Sequence, residues 1–461
     1  MYKLDFNKPL FIHFIGIGGI SMSGLADILL KKGFKVSGSD RQESALTKHL
    51  EQEGALIFYG QKSENISKEM DLVVYTAAIH PDNPEYASAL ALGIPLLTRA
   101  QLLGQLMQNY KSAIAVAGTH GKTTTTSMLA HILLAADTDP TISVGGILPA
   151  ISGNIRVGAE NYFLTEACEY TNSFLSFHPT LNIILNVEED HMDFFKDIND
   201  IRNSFKKFAQ ELPDTGNLVI NADIDHIEFF TEALSCPVTS YSVHGAADYT
   251  ASDISYNEFA IPSFTVNYKG NPLGHFSLSV PGEHNISNAL AAIAAARILG
   301  IDLPHISNGL SSFSGTDRRF QYKGKIKDAT LIDDYAHHPT EIRATLTTAR
   351  TYPHKKLWCI FQPHTYSRTY AFMDDFASAL SLADEVILAD IYAAREQNTL
   401  GISSADLAEK INRCGTPASY FSSFDAIEAY VQSKLSPGDL LLTMGAGNVN
   451  EIGNNLLRGK H

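Results

Sequence analysis

The stretch that most restricts what this chain can become is Ala117-Gly118-Thr119-His120-Gly121-Lys122-Thr123-Thr124-Thr125, set between the apolar run 112–116 and a helical pattern over 127–135. Strand, glycine turn and helix in that order make a phosphate loop. Small residues let backbone N–H groups approach a phosphate chain, Lys122 brings charge to the terminal phosphates, and Thr123 offers a hydroxyl to magnesium. The usual spacing G-x-x-x-x-G-K-[ST] wants a glycine where this chain has Val116, so the loop is a shorter variant. Consecutive threonines are poor helix starters, and the periodicity predicts the helix from Ser127 onward. What the loop serves has to be read elsewhere.

At 461 residues the chain is too long for one core, and about 150 residues per domain gives about three. A hydrophobic content of 44% with 18% charged residues is that of a globular protein, and no apolar run reaches the ~18 residues of a membrane span. The first nine residues are polar and run into a strand-like segment, without the pattern of a signal or transit peptide, so a cytoplasmic location is expected. Cys168, Cys236, Cys359 and Cys414 have no C-x-x-C spacing, which argues against a zinc site or a disulfide framework. A net charge of −15 argues against general binding to nucleic acid or an anionic membrane, leaving polyanions to local clusters such as the phosphate loop.

Taken in order, an apolar strand over 10–15 enters the turn Gly16-Ile17-Gly18-Gly19, followed by a helical pattern to Lys32. A second strand, 35–40, ends in Ser39-Asp40, where a Rossmann unit places its ribose-binding carboxylate. Ser21 stands where the third glycine is expected. Nucleotide-sugar binding and plain tight packing both fit this turn. Further strands at 72–76 and 95–97 continue an open α/β sheet to about Tyr110. A second domain begins with the strand before the phosphate loop and has strands at 162–165, 181–186 and 218–221. Ligands in such sheets gather at the carboxyl ends of strands, which brings up Glu166, Asn186 and the acidic loop from Glu188 to Asp193. With a phosphate loop beside them, Glu166 and His191 are candidate magnesium ligands with Thr123, although magnesium prefers oxygen. Residues 238–280 alternate apolar and polar and predict a small antiparallel appendage. Asn285 and Asn288 then share one face at the start of an alanine-rich helix, where they read either a nucleotide or the helix end itself. Beyond Asp317-Arg318-Arg319 a third α/β region has strands at 330–332, 356–361, 385–389 and 440–443, all with polar ends. Two adjacent arginines are often surface charge, and at least one of this pair is expected to be.

These segments, with Glu166-Ala167-Cys168-Glu169, Asp190-His191-Met192-Asp193, Pro281-Gly282-Glu283-His284-Asn285, Asp334-Tyr335-Ala336-His337-His338-Pro339 and Gln362-Pro363-His364, resemble the Mur ligases over the whole chain. The last two point to the alanine-adding branch. The resemblance implies an α/β protein of three domains: a Rossmann-like UDP-sugar domain (1–110), a central ATP domain of phosphate-loop type with an antiparallel appendage (111–315), and a Rossmann-like amino-acid-side domain (316–461). It implies ATP and Mg²⁺ as cofactors, UDP-N-acetylmuramate and L-alanine as substrates, and a monomer or homodimer. By residue, it implies ATP contacts from Gly118, Thr119, His120, Gly121, Lys122, Thr123, Thr124, Asn285, Asn288 and Arg319, and magnesium on Thr123, Glu166 and His191. Lys122, Glu166, His191, Arg319 and Asp334 would act in catalysis. Gly16, Gly18, Gly19, Ser39, Asp40, His337, His364 and Arg368 would face the other substrates. Some sister ligases carry a carbamylated lysine after the histidine; Lys206 and Lys207 occupy that region, and neither is assigned. The alternatives are a murein tripeptide recycling ligase, a nucleotide-binding oxidoreductase and a nucleotide-binding regulator.

Overall fold

The computed structural model describes residues 4–76 and 78–459, which form three α/β layers, each built on a mostly parallel sheet. The first sheet holds β1 (Phe11–Ile15), β2 (Lys35–Asp40), β3 (Leu56–Tyr59), β4 (Leu72–Tyr75) and β5 (Leu96–Thr98), all parallel in the order β3-β2-β1-β4-β5. The reversal of strand order beside β1 puts a crevice over the Gly16–Gly19 turn, as expected of an open parallel sheet. Strand β3 escaped the sequence reading because only four residues, none fully buried, carry it.

The central sheet has ten strands: β6 (Ser112–Ala117), β7 (Thr141–Leu148), β8 (Gly153–Arg156), β9 (Tyr162–Glu166), β10 (Leu181–Ile184), β11 (Asn217–Asn221), β12 (Val238–Ser242), β13 (Tyr249–Tyr256), β14 (Pro262–Tyr268) and β15 (Asn271–Ser277). Their order is β15-β14-β13-β12-β11-β10-β6-β9-β7-β8. The predicted appendage is therefore no separate unit. β12 pairs parallel onto β11 and β13 parallel onto β12, while β13, β14 and β15 alternate direction and extend the sheet at this edge. The phosphate loop leaves β6 near the middle of this sheet.

The helix after the loop spans Lys122–Ala135, so all four threonines are helical, against the expectation from propensity. Each threonine costs only a few tenths of a kcal/mol in a helix, while the fully buried Met128, Leu129, Ile132 and Leu133 each gain about 1.5–3 kcal/mol. Packing decides.

The third sheet contains β16 (Gln321–Ile326), β17 (Ala329–Asp334), β18 (Leu357–Phe361), β19 (Glu385–Leu388), β20 (Ala418–Tyr420) and β21 (Leu440–Met444) in the order β16-β17-β21-β18-β19-β20. Only β16 is antiparallel.

The three layers are not joined alike. One apolar core runs from Phe14, Leu25 and Leu106 of the first layer through Ala113 to Phe163 and Phe205 of the central one. Tyr110, at the expected junction, is buried there, its ring tilted against Phe163 with centroids 4.9 Å apart and its hydroxyl donating to Thr141 Oγ1 at 3.1 Å. The buried residues of the C-terminal layer's two cores all lie from Ile326 onward. Closeness between the first two layers depends on small residues. A Cβ on Gly24 would lie 1.9 Å from Ile155 Cδ1, and one on Gly104 would lie 1.8 Å from the Ser176 carbonyl oxygen. The Ser176 carbonyl belongs to backbone and cannot swing away, so Gly104→Ala is expected to cost at least about 2 kcal/mol. A shift of the denaturation midpoint by less than the equivalent of ~0.5 kcal/mol would show that this interface yields.

Candidate active site

The loop geometry follows from two glycines. Gly118 (φ +146) and Gly121 (φ +83) take backbone conformations that L side chains rarely adopt, and a Cβ on Gly121 would stand 2.6 Å from Asn288 Oδ1. Asn186, just after β10, braces the loop: its Oδ1 accepts from His120 N at 2.7 Å and its Nδ2 donates to His120 O at 3.0 Å. Thr119 Oγ1 accepts from Glu188 N at 2.9 Å, tying the acidic loop to the same turn.

Lys122 donates to the Thr119 carbonyl at 3.1 Å and to Glu169 Oε2 at 3.0 Å. Burial opposes its charge, but the Glu169 carboxylate more than offsets this and leaves the Lys122 pKa raised. Glu166, at the end of β9, is the candidate magnesium ligand and Glu169 has no expected role, yet it is Glu169 that Lys122 meets. Glu166 instead accepts from Gly145 N through Oε1 and lines the cleft beside Thr123. Across the cleft stands His191 (φ +55), its Nε2 3.9 Å from Glu169 Oε1, and burial lowers its pKa so that the imidazole is neutral near pH 7. Lys206 lies over the Phe229 ring and beside Glu232, neither of which lines the cleft.

Two spaces meet at the loop. A cavity of about 200 Å³ is lined by Gly121, Thr124, Asn285, Asn288, Arg319 and Asp334, among others. It is apolar on the Leu185, Val280 and Phe313 side, which suits a planar base. Asn285 does not cap its helix (His284–Ile298) through the usual side-chain-to-N–H bond; it donates to Pro281 O at 2.7 Å and accepts from Asn288 Nδ2 at 3.0 Å. Asp334 accepts from Phe320 N and Ala336 N at 2.8 and 2.7 Å, and burial pushes its pKa up to about 6 against the pull of Arg319. The second space, a cleft of about 640 Å³, brings Thr119, Lys122, Thr123, Glu166 and His191 together with Arg319 and His337. Arg318, far from being loose surface charge, is anchored to Asp333 at 3.2 Å and to the Gly445 and Gly447 carbonyls. Arg319 is the one of the pair that faces both spaces.

At the carboxyl ends of the C-terminal strands, His337, His364 and Arg368 converge. The His337 and His364 rings lie 5.8 Å apart, and Arg368 Nη1 is 3.1 Å from His364 Nδ1. Arg368 also crosses to the central layer, with Nη2 and Nε donating to Asp190 Oδ1 at 2.7 and 3.0 Å. Nothing in the sequence pattern gives Asp190 a role beyond its place in the Asp190-His191-Met192-Asp193 segment. In the first layer, Gly18 N donates to Asp40 Oδ2 at 2.8 Å, and Ser39 is fully buried, its hydroxyl donating to Glu85 at 2.6 Å. Ser39 thus supports the glycine turn from beneath, its carbonyl accepting from Gly16 N and Ile17 N. Gly16 and Gly19 shape that turn, and the exposed Ile20 carries it to the edge of the cleft. Ser21, out of place in a dinucleotide turn, accepts from the Arg99 guanidinium at 3.0 Å. No sequence signal singled out Arg99.

A phosphate loop opening on a cleft shared by three α/β layers defines a nucleotide-dependent enzyme that assembles its site across domains. Family descriptions match in the same order: "Mur ligase family, catalytic domain" over residues 11–111, "Mur ligase middle domain" over 116–296 and "Mur ligase, glutamate ligase domain" over 318–447. The chain belongs to the Mur ligase family. It is 60% identical to the UDP-N-acetylmuramate–L-alanine ligase of Agathobacter rectalis, over 99% of this chain and 100% of the relative. Identity is 51% with the protein of that name in Lachnoclostridium phytofermentans, again over 99% and 100%. Among solved structures, the UDP-N-acetylmuramate-alanine ligase of Thermotoga maritima superimposes with a TM-score of 0.78 at 30% identity, covering 98% of this chain and 99% of that one. A murein peptide ligase of Psychrobacter arcticus gives 0.68 at 28%, covering 97% and 98%.

Proposed function

We infer that this chain joins L-alanine to the lactyl carboxylate of UDP-N-acetylmuramate at the expense of ATP, a cytoplasmic step of peptidoglycan synthesis. The observation that carries the reading is the full-length similarity to the Agathobacter rectalis ligase at 60% identity. The site's chemistry agrees with it. A carboxylate oxygen attacks the γ-phosphorus of ATP, the bond from phosphorus to the β-phosphate oxygen breaks, and ADP leaves. The amine of L-alanine then attacks the acyl carbon, a proton leaves the nitrogen, and the carbon–oxygen bond to phosphate breaks.

The first step brings like charges together, so the site has to neutralise them. Lys122 does so at the terminal phosphates and Arg319, reaching both spaces from the edge of the C-terminal domain, does so from the opposite side. Thr123 and Glu166 offer the hard oxygens magnesium prefers, and Gly145 has no Cβ to block the Glu166 carboxylate. These two residues, with His191 opposite, would hold the ion, which when bound supplies further positive charge to the polyphosphate. Asn285 and Asn288 face the base and ribose side. His337, His364 and Arg368 face the acyl group and the amino acid, and the Gly16–Gly19 turn with Asp40 takes the UDP-sugar. A reactive acyl phosphate must be shielded from water, which the docked C-terminal layer provides.

The deciding measurement is ADP release with UDP-N-acetylmuramate and, in turn, L-alanine, glycine, L-serine and an L-alanyl-γ-D-glutamyl-containing tripeptide. L-alanine is expected to give the highest kcat/KM. Dependence on the tripeptide with indifference to L-alanine would instead make the chain a murein peptide ligase, as the Psychrobacter arcticus protein is named.

A further inference from the structure

Glu341 is the third residue of the helix Pro339–Thr351, and one of its oxygens has an ordinary explanation: Oε2 accepts from His337 N at 3.0 Å, as an acidic residue in a first helical turn often does. Its other oxygen does not. Oε1 lies 3.2 Å from His120 Nδ1, in the phosphate loop of a different domain. We propose that Glu341 is a positioning residue of the ligase reaction, one carboxylate that ties His120 of the phosphate loop to His337 of the C-terminal domain and sets the two halves of the cleft in register. The proposal rests on the ligase reading for its kinetic part only.

Its surroundings make the tie specific. Both side chains are largely buried, 12% exposed for His120 and 14% for Glu341. Glu188, from the loop after β10, faces His120 Nε2 at 3.5 Å and accepts from Thr340 Oγ1 at 2.7 Å. The His338 ring packs 4.7 Å from the His120 ring, and burial and the neighbouring His120 lower its pKa to about 4, so it adds no charge. His337 stands on the far side of Glu341, its Nδ1 3.2 Å from Oε2. Lys122, in the same loop, is turned toward Glu169. The arrangement is thus one imidazolium between two carboxylates, one from each domain. Burial lowers the His120 pKa, but Glu341 and Glu188 together raise it to about 9, so the charge is present throughout the neutral range. Glu341 also lines both the 200 Å³ cavity and the 640 Å³ cleft, at the joint between nucleotide and acceptor. Because the C-terminal layer shares no apolar core with the central one among the described residues, contacts such as this have to fix its position.

Glu341→Gln keeps the size and one acceptor for His337 N while removing the charge. The expected result is a fall in kcat of about 10-fold or more, with KM for UDP-N-acetylmuramate changed less than about 3-fold, because a misplaced reacting geometry costs rate rather than ground-state binding. His120 should titrate near pH 9 in the unaltered protein, followed by NMR of labelled histidines and assigned with His120→Asn. In Glu341→Gln it should titrate at least about one pH unit lower, so that kcat begins to fall between about pH 7 and 8, where the parent, titrating near 9, stays nearly level. The double variant should be no worse than the more severe single one. A helix cap alone would lower the melting temperature and leave His120's titration in place. An unmoved titration, or fully additive kinetic losses, overturns the proposal. If Glu341→Gln fails to fold, Glu341→Asp, with its charge kept and reach shortened, takes its place in the same cycle. Absence of turnover in the unaltered protein would instead overturn the ligase reading, and the titration would still decide the tie.

Discussion

Lys122→Ala is expected to remove ATP-dependent turnover by a factor on the order of 10³ or more, while UDP-N-acetylmuramate still binds the first domain with measurable affinity. The size follows from where the charge sits. A preorganised cation at a transferring phosphoryl group acts in a site that excludes water, and single groups of this kind are worth on the order of 10²–10⁵ in rate. There is a structural cost as well. Glu169 is 3% exposed and has Lys122 at 3.0 Å, so truncation leaves a buried carboxylate without its partner, a loss of about 3–5 kcal/mol. The two effects separate in Lys122→Ala/Glu169→Gln, which removes the orphaned charge. The melting temperature should recover and turnover should not. Calorimetry with UDP-N-acetylmuramate and an ADP-release assay on both variants provide the check. Loss of sugar-nucleotide binding along with turnover would mean that the domain roles are assigned wrongly.

The pairing of Lys122 with Glu169 also marks how far the sequence could be read. Strand ends, glycine turns and the polar edges of three sheets are written in short local patterns, and β2 falls on its expected residues, Lys35–Asp40, ending in the acid that follows the glycine turn in a Rossmann unit. The phosphate loop is legible for the same reason: Gly118, Gly121, Lys122 and Thr123 depend on backbone geometry within a few residues. Which of two glutamates three apart meets Lys122 is a different matter. It depends on the path of the irregular residues between β9 and the turn that begins at Tyr170, which propensity does not encode. The helix through four threonines is the converse case, since the buried faces of Met128, Leu129 and Ile132 outweigh a local signal.

Contacts across domains were the least legible. Glu341 and His120 are 221 residues apart, and Asp190 and Arg368 are 178 apart. Each of these four lies in or beside a motif, yet no spacing rule links them. Tyr110 shows the same limit at a junction. The first domain is expected to end about there, and no spacing rule shows that tertiary packing buries the residue in a core shared by two layers. The chain accordingly has one stiff joint and one polar one, the second running through Gly315 (φ +108), Arg318 (φ +60) and Phe320 (φ +46).

The polar joint makes Arg368 a test of two roles at once. Its guanidinium spends Nη2 and Nε on Asp190 across the domains and Nη1 on His364, and both Arg368 and Asp190 are more than nine-tenths buried at their side chains. The Asp190 pKa, raised by burial but lowered more by Arg368, ends well below the carboxylate range, so the pair is fully ionised at assay pH. Arg368→Ala is expected to raise the KM for L-alanine by about 10²-fold, the worth of one or two charge-assisted hydrogen bonds to a carboxylate. It should also lower stability by about 3–5 kcal/mol through the abandoned Asp190 charge. Arg368→Lys, which keeps the charge but not the planar fork, should fall between. Arg368→Ala/Asp190→Asn separates the roles. If the arginine both holds the domains and receives the amino acid, removing the Asp190 charge restores stability and leaves the alanine KM high. Restoration of both would make Arg368 a domain tie alone and move the amino-acid carboxylate to another cation on the same edge.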